Sequence, residues 1–195
     1  MEQDPGRKSM KLLQLLPIGE LDDRLLDYTA SMLADSFQVP CEIIAQGWDP
    51  QFAYHAERQQ YHSTEMLTRL KTLVKPQTWR LLGITPVDLY IPILTFVFGE
   101  AQMGGECAVV STHRLRQEFY GLPADIDMLA QRLLKEAVHE VGHTLQLTHC
   151  DDYRCAMASS HAVEWIDLKE ASLCDGCRER AMANNHAARG YPAAG

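Results

Sequence analysis

The sequence predicts an α+β fold: a mixed, twisted β-sheet with a backing helix, a long helix with a histidine-rich end, and a small C-terminal lobe. Three observations carry this prediction. A strand, helix, strand pattern fills residues 12–45. β-branched and aromatic segments broken by Gly and Pro occupy residues 79–112. Past residue 147, apolar periodicity gives way to short segments rich in Cys, Asp, Ser and Met.

The elements follow in order. Residues 12–16 form a short apolar run closed by Pro17 and Gly19, which reads as a buried first strand. Residues 20–37 keep a helical period, with Leu21, Leu25, Leu26, Met32 and Leu33 as the apolar stripe, and residues 39–45 are the second strand. The right-handed crossover rule makes these two strands parallel neighbours with the helix on one face. Residues 48–60 lack a clean period and read as an exposed loop. Residues 63–74 form the next helix, capped by Ser63 or Thr64 and stopped before Pro76. Strands are predicted near residues 80–84, 93–98 and 107–111, with residues 99–106 as a hairpin connection containing Gly104-Gly105. That hairpin is a candidate sheet edge, able to bind an extended peptide as an added strand along residues 104–110.

Residues 125–145 form the long helix, with Asp125 as its cap. Its stripe of Ile126, Ala130, Leu133, Ala137, Val141 and Thr144 leaves His139 and His143 on the other side. The division expected is residues 1–146 as an upper subdomain with the sheet and this helix, and residues 147–195 as a small C-terminal subdomain. Within the latter, residues 164–168 keep an apolar period, residues 178–188 form an Ala-rich helix, and the last five residues form a loose tail.

Composition narrows the function. With 46% hydrophobic and 23% charged residues the chain is an ordinary globular protein. It carries 18 basic against 26 acidic residues, a net charge of −8, and no long basic run, which argues against nucleic acid as a partner. The polar first nine residues lack the apolar core of a secretory signal, and residues 89–98, interrupted by Pro92, are far shorter than the roughly 20 residues a membrane span needs. No pro-segment is evident. The expectation is a cytoplasmic monomer, off the membrane.

The chemistry centres on His139-Glu140-Val141-Gly142-His143, followed six residues later by His149. Residues four apart share a helix face, so His139 and His143 can converge on one metal ion with Glu140 between them. His149 lies too far along to share that face, so the chain must turn after His143 to bring it back. Three neutral imidazoles leave one open position, the mark of a catalytic zinc. Zinc so held lowers the pKa of a bound water from near 16 to about 7 and polarises a carbonyl. Glu140 is placed to take that water's proton as general base and return it to a leaving amine. Peptide-bond hydrolysis fits these parts. The competing reading is a non-catalytic, zinc-stabilised binding module with a vestigial histidine site, a role that does not require a carboxylate beside the first ligand.

Cys41 and Cys107 stand alone in strand-like stretches and read as buried thiols. Cys150 and Cys155, followed by Cys174-Asp-Gly-Cys177, have the spacing of a four-cysteine zinc site, favoured over disulfides in a reducing compartment.

The run from His139 to Met157, with Cys174 and Cys177, resembles the archaemetzincins, zinc metallopeptidases of the metzincin clan. The resemblance implies a zincin-like fold with His139, His143 and His149 on the catalytic zinc, and Glu140 as general base. It further implies Met157 as a floor beneath the ion in a Met-turn, a structural zinc at the four cysteines, and a peptide or small protein as substrate. The metzincin pattern has glycine three residues after the second histidine, where this chain has Gln146. A left-handed conformation there costs a non-glycine residue about 1 kcal/mol, so the turn is expected under modest strain. Sixteen residues, one fewer than the family spacing, separate Met157 from Cys174. Tyr153, Tyr120 and His113 are candidates to assist an oxyanion, with nothing in the spacing to select one.

Overall fold

A computed structural model of the chain describes residues 11–188; the polar first nine residues and the last five fall outside that range. β1 (Leu12–Pro17) leads through α1 (Asp23–Phe37) to β2 (Cys41–Ile43), and the two strands are parallel. α1 starts later than the sequence pattern suggests, because Asp22 caps it by accepting the Arg24 backbone N–H at 2.8 Å. β5 (Thr78–Thr85) pairs parallel with β1, and β8 (Cys107–Ser111) parallel with β5. β7 (Gly99–Ala101) pairs antiparallel with β8 and closes the five-stranded order β2-β1-β5-β8-β7. The edge strands are therefore β2 and β7, and β8, which the sequence pattern offered as part of an edge, is internal.

Alternation along the strands divides the apolar side chains between two faces. Leu82, Ile84, Ala108 and Val110 pack with α1 and α3 (Ile126–Thr144) in the larger core. Leu81, Cys107 and Val109 pack with Met66, Leu67 and Leu70 of α2 (Ser63–Leu70) in the smaller one. Leu147, Cys155, Met157, Val163, Ile166 and Cys177 belong to the larger core, so the C-terminal segment shares its apolar interior with α3.

Several expectations change. The stretch read as an exposed loop holds a 3-10 turn at Pro50–Ala53 and β3 (Tyr54–His55). With β4 (Gln60–His62) and β6 (Leu89–Tyr90), β3 makes a small second sheet. Neither Ser63 nor Thr64 caps α2. His62 holds that position without a side-chain cap bond, while both hydroxyls donate to Glu100 on β7. The strand expected at residues 93–98 is absent: Arg58 donates to the carbonyls of Leu94 and Thr95 at 2.9 and 3.1 Å, and Gln60 to Thr95 at 2.9 Å. Carbonyls engaged by side chains are withdrawn from a sheet ladder. Ile126, placed on the buried stripe of the long helix, is instead exposed in its first turn.

α4 (Val163–Leu168) and α5 (Asp175–Ala188) complete the fold. Among the described residues no helix is long and apolar enough to cross a membrane.

Candidate functional site

α3 begins where Asp125 accepts the Met128 backbone N–H at 2.9 Å, and it ends directly past His143. Its end is a Schellman motif: the Leu147 N–H reaches the Gly142 carbonyl at 3.2 Å, and the Gln146 N–H reaches His143 at 3.0 Å. The position that favours glycine holds Gln146, whose φ is 63°, so the expected left-handed turn forms without the glycine. The reversal carries His149 back to the two helix histidines. Ring centroids lie 4.6 Å apart for His139 and His143, 5.3 Å for His139 and His149, and 5.1 Å for His143 and His149.

Each helix imidazole has its Nδ1 committed. His139 Nδ1 donates to the Ala156 carbonyl at 2.8 Å, and His143 Nδ1 to the Leu147 carbonyl at 2.7 Å. A carbonyl only accepts, so the neutral rings present Nε2 lone pairs, and these two Nε2 atoms stand 3.0 Å apart. Two lone pairs facing each other require a proton or a cation. One donor atom from each of the three histidines lies within 4.8 Å of the others, and no fourth His, Cys, Asp or Glu joins the group among the described residues. Burial, reinforced at His139 by the Lys169 ammonium, lowers the pKa of all three imidazoles and keeps them neutral, as a metal ligand must be. The donor set fits a zinc ion with an open position.

Glu140 is buried beside them, on the wall of a cleft of about 520 Å³. Burial pushes its carboxyl well above the usual carboxylate range, and Glu136 and Glu100 push the same way against Lys169. Met157 is fully buried under α3, and its thioether fills the space left by Gly142.

The four cysteines also converge. All four sulfurs lie within 4.8 Å of one another, and Cys150 and Cys174 are 3.8 Å apart. A tetrahedron with Zn–S of about 2.3 Å has edges of about 3.8 Å, so this set fits a closed structural site. Burial pushes the Cys177 thiol up to about 12, while the Cys177 backbone N–H beside Cys174 holds that thiol down. Cys41 and Cys107 lie apart on β2 and β8, raised by burial to about 12 and about 11. Cys107 is fully buried and Cys41 only partly.

None of the three oxyanion candidates lines the cleft. Tyr153 is 66% exposed, the Tyr120 hydroxyl donates to the Arg114 carbonyl, and the His113 ring packs on Phe119. Beyond Glu140 and the three histidines, the cleft's polar lining comes from Thr95, Glu100, Glu136, Ser159, Ser160 and His161. Sequence reasoning missed Glu136, one turn before Glu140, and Lys169, which pairs with it at 3.2 Å. Helical spacing alone marks Glu136, and no local pattern marks Lys169.

Comparison with known proteins agrees with this geometry. The model of peptidase family M54 matches residues 20–182. The chain is 41% identical over 164 residues to the archaemetzincin of Methanocaldococcus jannaschii, covering 84% of this chain and 89% of that one. It is 34% identical to that of Thermococcus kodakarensis over 182 residues, 90% of this chain and 97% of the relative. Among solved structures, it resembles archaemetzincin from Methanopyrus kandleri with TM-score 0.77 and 32% identity, covering 92% of this chain and 98% of the other. A zinc-dependent peptidase from Methanocorpusculum labreanum gives TM-score 0.79 and 30% identity, covering 87% and 99%.

Proposed function

The chain belongs to the archaemetzincins, peptidase family M54, and is a zinc metallopeptidase; from that premise we propose that His139, His143 and His149 hold its catalytic zinc and that Glu140 is the general base of peptide-bond hydrolysis. The observation that carries the reading is the convergence of three neutral imidazoles beside a buried carboxyl on a cleft wall. When bound, the ion supplies an open coordination position and Lewis acidity, bringing the pKa of water to about 7. Glu140 would then accept the proton of the attacking water and deliver it to the leaving amine. The Nδ1 bonds of His139 and His143 fix the tautomer and orientation of each ring.

A second zinc belongs at Cys150, Cys155, Cys174 and Cys177 as a structural ion. A division after residue 146 then puts the lining residues between 91 and 143 on one side of the cleft and those between 149 and 161 on the other. An extended peptide adding to the free edge of β7 would run along the cleft past Glu140; a substrate-analogue complex avoiding that edge would refute this part.

The decisive experiment is peptide-library cleavage by the wild type and by Glu140→Ala, with metal content measured in parallel. The expected result is equal zinc in both and a loss of about 100-fold or more in the variant. Zinc bound equally with activity in neither would favour the binding module.

A further inference from the structure

Lys169 is 3% exposed and lies outside the histidine and cysteine clusters. Its ammonium has two partners, Glu136 Oε1 at 3.2 Å and the Ala156 carbonyl at 3.3 Å. Glu136 is itself 3% exposed. A buried ion pair is weak evidence of stability, since apolar replacements of like size are often as good. Its value here lies in what the ammonium touches.

The Ala156 carbonyl is the acceptor for His139 Nδ1 at 2.8 Å, so its two lone pairs serve one imidazole and one lysine. The same residue's N–H donates to the Ser172 carbonyl at 2.9 Å, which pins the preceding peptide. Glu136 sits on α3, one turn before Glu140, and Lys169 caps the end of α4. A single ammonium thus ties together the active-site helix, the turn carrying Met157, and the segment after α4.

We infer that Lys169 is a positioning residue for the reaction: by donating to the Ala156 carbonyl while held by Glu136, it fixes the acceptor that orients the His139 ring. The inference rests on the reading that the three histidines hold the ion. Direct partners of a ligating histidine are worth about 10–100-fold in metal affinity, and Lys169, one bond further out, acts at the lower end of that range.

The test uses the full chain reconstituted with cobalt(II), whose visible spectrum distinguishes a histidine site from a tetrathiolate site. Three variants are compared: Lys169→Met, the charge-balanced double variant Glu136→Gln with Lys169→Met, and Glu136→Gln alone. The double variant removes both charges, so it carries the test if the single lysine variant fails to fold. Both lysine variants are expected to lose about tenfold in cobalt affinity at the histidines, with a shifted histidine-site spectrum and unchanged thiolate bands. Glu136→Gln alone keeps the lysine on the carbonyl and should stay within about threefold of wild type, since its amide still accepts from Lys169. Wild-type affinity and spectrum in the folded double variant would overturn the inference, leaving the pair a structural tie. So would a loss in Glu136→Gln as large as that in Lys169→Met. A wild-type chain that takes cobalt only at its thiolates would instead refute the underlying histidine site, and the role of Lys169 with it.

Discussion

The side chain of Glu140 occupies the space that a side chain on Gly99 would need. A Cβ at Gly99 would stand 2.6 Å from Glu140 Cγ, 2.7 Å from its Oε1 and 2.7 Å from the Val109 carbonyl oxygen. The carbonyl belongs to β8 and cannot yield without breaking the register of Gly99 with Val110. Gly99→Ala should therefore displace the Glu140 carboxyl and lower kcat/KM by about 100-fold, the scale of a misplacement near 1 Å. Stability should fall by about 1–3 kcal/mol, as in other overpacked sites. Zinc content should hold, because no histidine is touched. Wild-type activity in Gly99→Ala would show that Glu140 has freedom the packing denies it.

This contact also marks the limit of what the sequence made legible. The spacing of His139, Glu140 and His143 is helical and local, and the return of His149 needs only one turn, so the convergence of the three histidines could be read from the chain itself. The same holds for the β1, α1, β2 unit, whose periods change cleanly. Gly99 and Glu140, like Glu136 and Lys169, meet only through the sheet and the C-terminal segment, and no local period reports such meetings. Residues 93–98 have strand composition, yet Arg58 and Gln60 capture the carbonyls of Leu94 and Thr95. There, tertiary bonds override β-propensity, which reflects packing more than backbone preference.

Gln146 holds a left-handed φ of 63° at the position where the Schellman motif favours glycine. Gln146→Gly relieves a cost of about 1–2 kcal/mol and forfeits part of that gain to the freer unfolded chain. The expected net is about 0.5–1 kcal/mol of added stability, raising Tm by about 1–4 °C in calorimetry. Cobalt affinity at the histidines should be unchanged. A lower Tm would mean that the packing of Gln146 on Gly104 outweighs the backbone strain.

Asp88 anchors one wall of the cleft. It receives Arg114 Nε at 2.7 Å and Nη2 at 2.8 Å, and the same guanidinium lies 4.1 Å over the Phe96 ring. Burial alone would raise the Asp88 pKa, but the bonds from Arg114 and Gln60 outweigh it and hold the carboxyl below its usual 3.8. A depressed folded-state pKa adds stability that is present above the unfolded value and lost as pH falls through the folded one. Asp88→Asn should thus lower Tm most near neutral pH, with the difference from wild type shrinking below about pH 4. A difference that stays constant across melting curves from pH 7 down to pH 2 would remove the charge from this account.

The histidine and cysteine clusters share a backbone. Cys150 directly follows His149, and its N–H donates to the Met157 carbonyl at 2.9 Å. Cys155 Sγ accepts from the Met157 N–H at 3.4 Å and from the Cys174 N–H at 3.3 Å. The cysteine cluster therefore holds both the segment bearing the third histidine and the turn under α3. Cys174→Ser keeps the main-chain donor but weakens the thiolate set, so the anchor loosens without losing its bond to Cys155. The variant should lose structural metal, melt at lower temperature, and bind metal at the histidines about tenfold more weakly, the lower end of what outer-shell changes cost. Chelator competition on the folded variant measures the last quantity separately from stability. Unchanged histidine-site affinity in a chain that has lost its thiolate metal would mean that His149 is held by α3 and its Schellman turn alone.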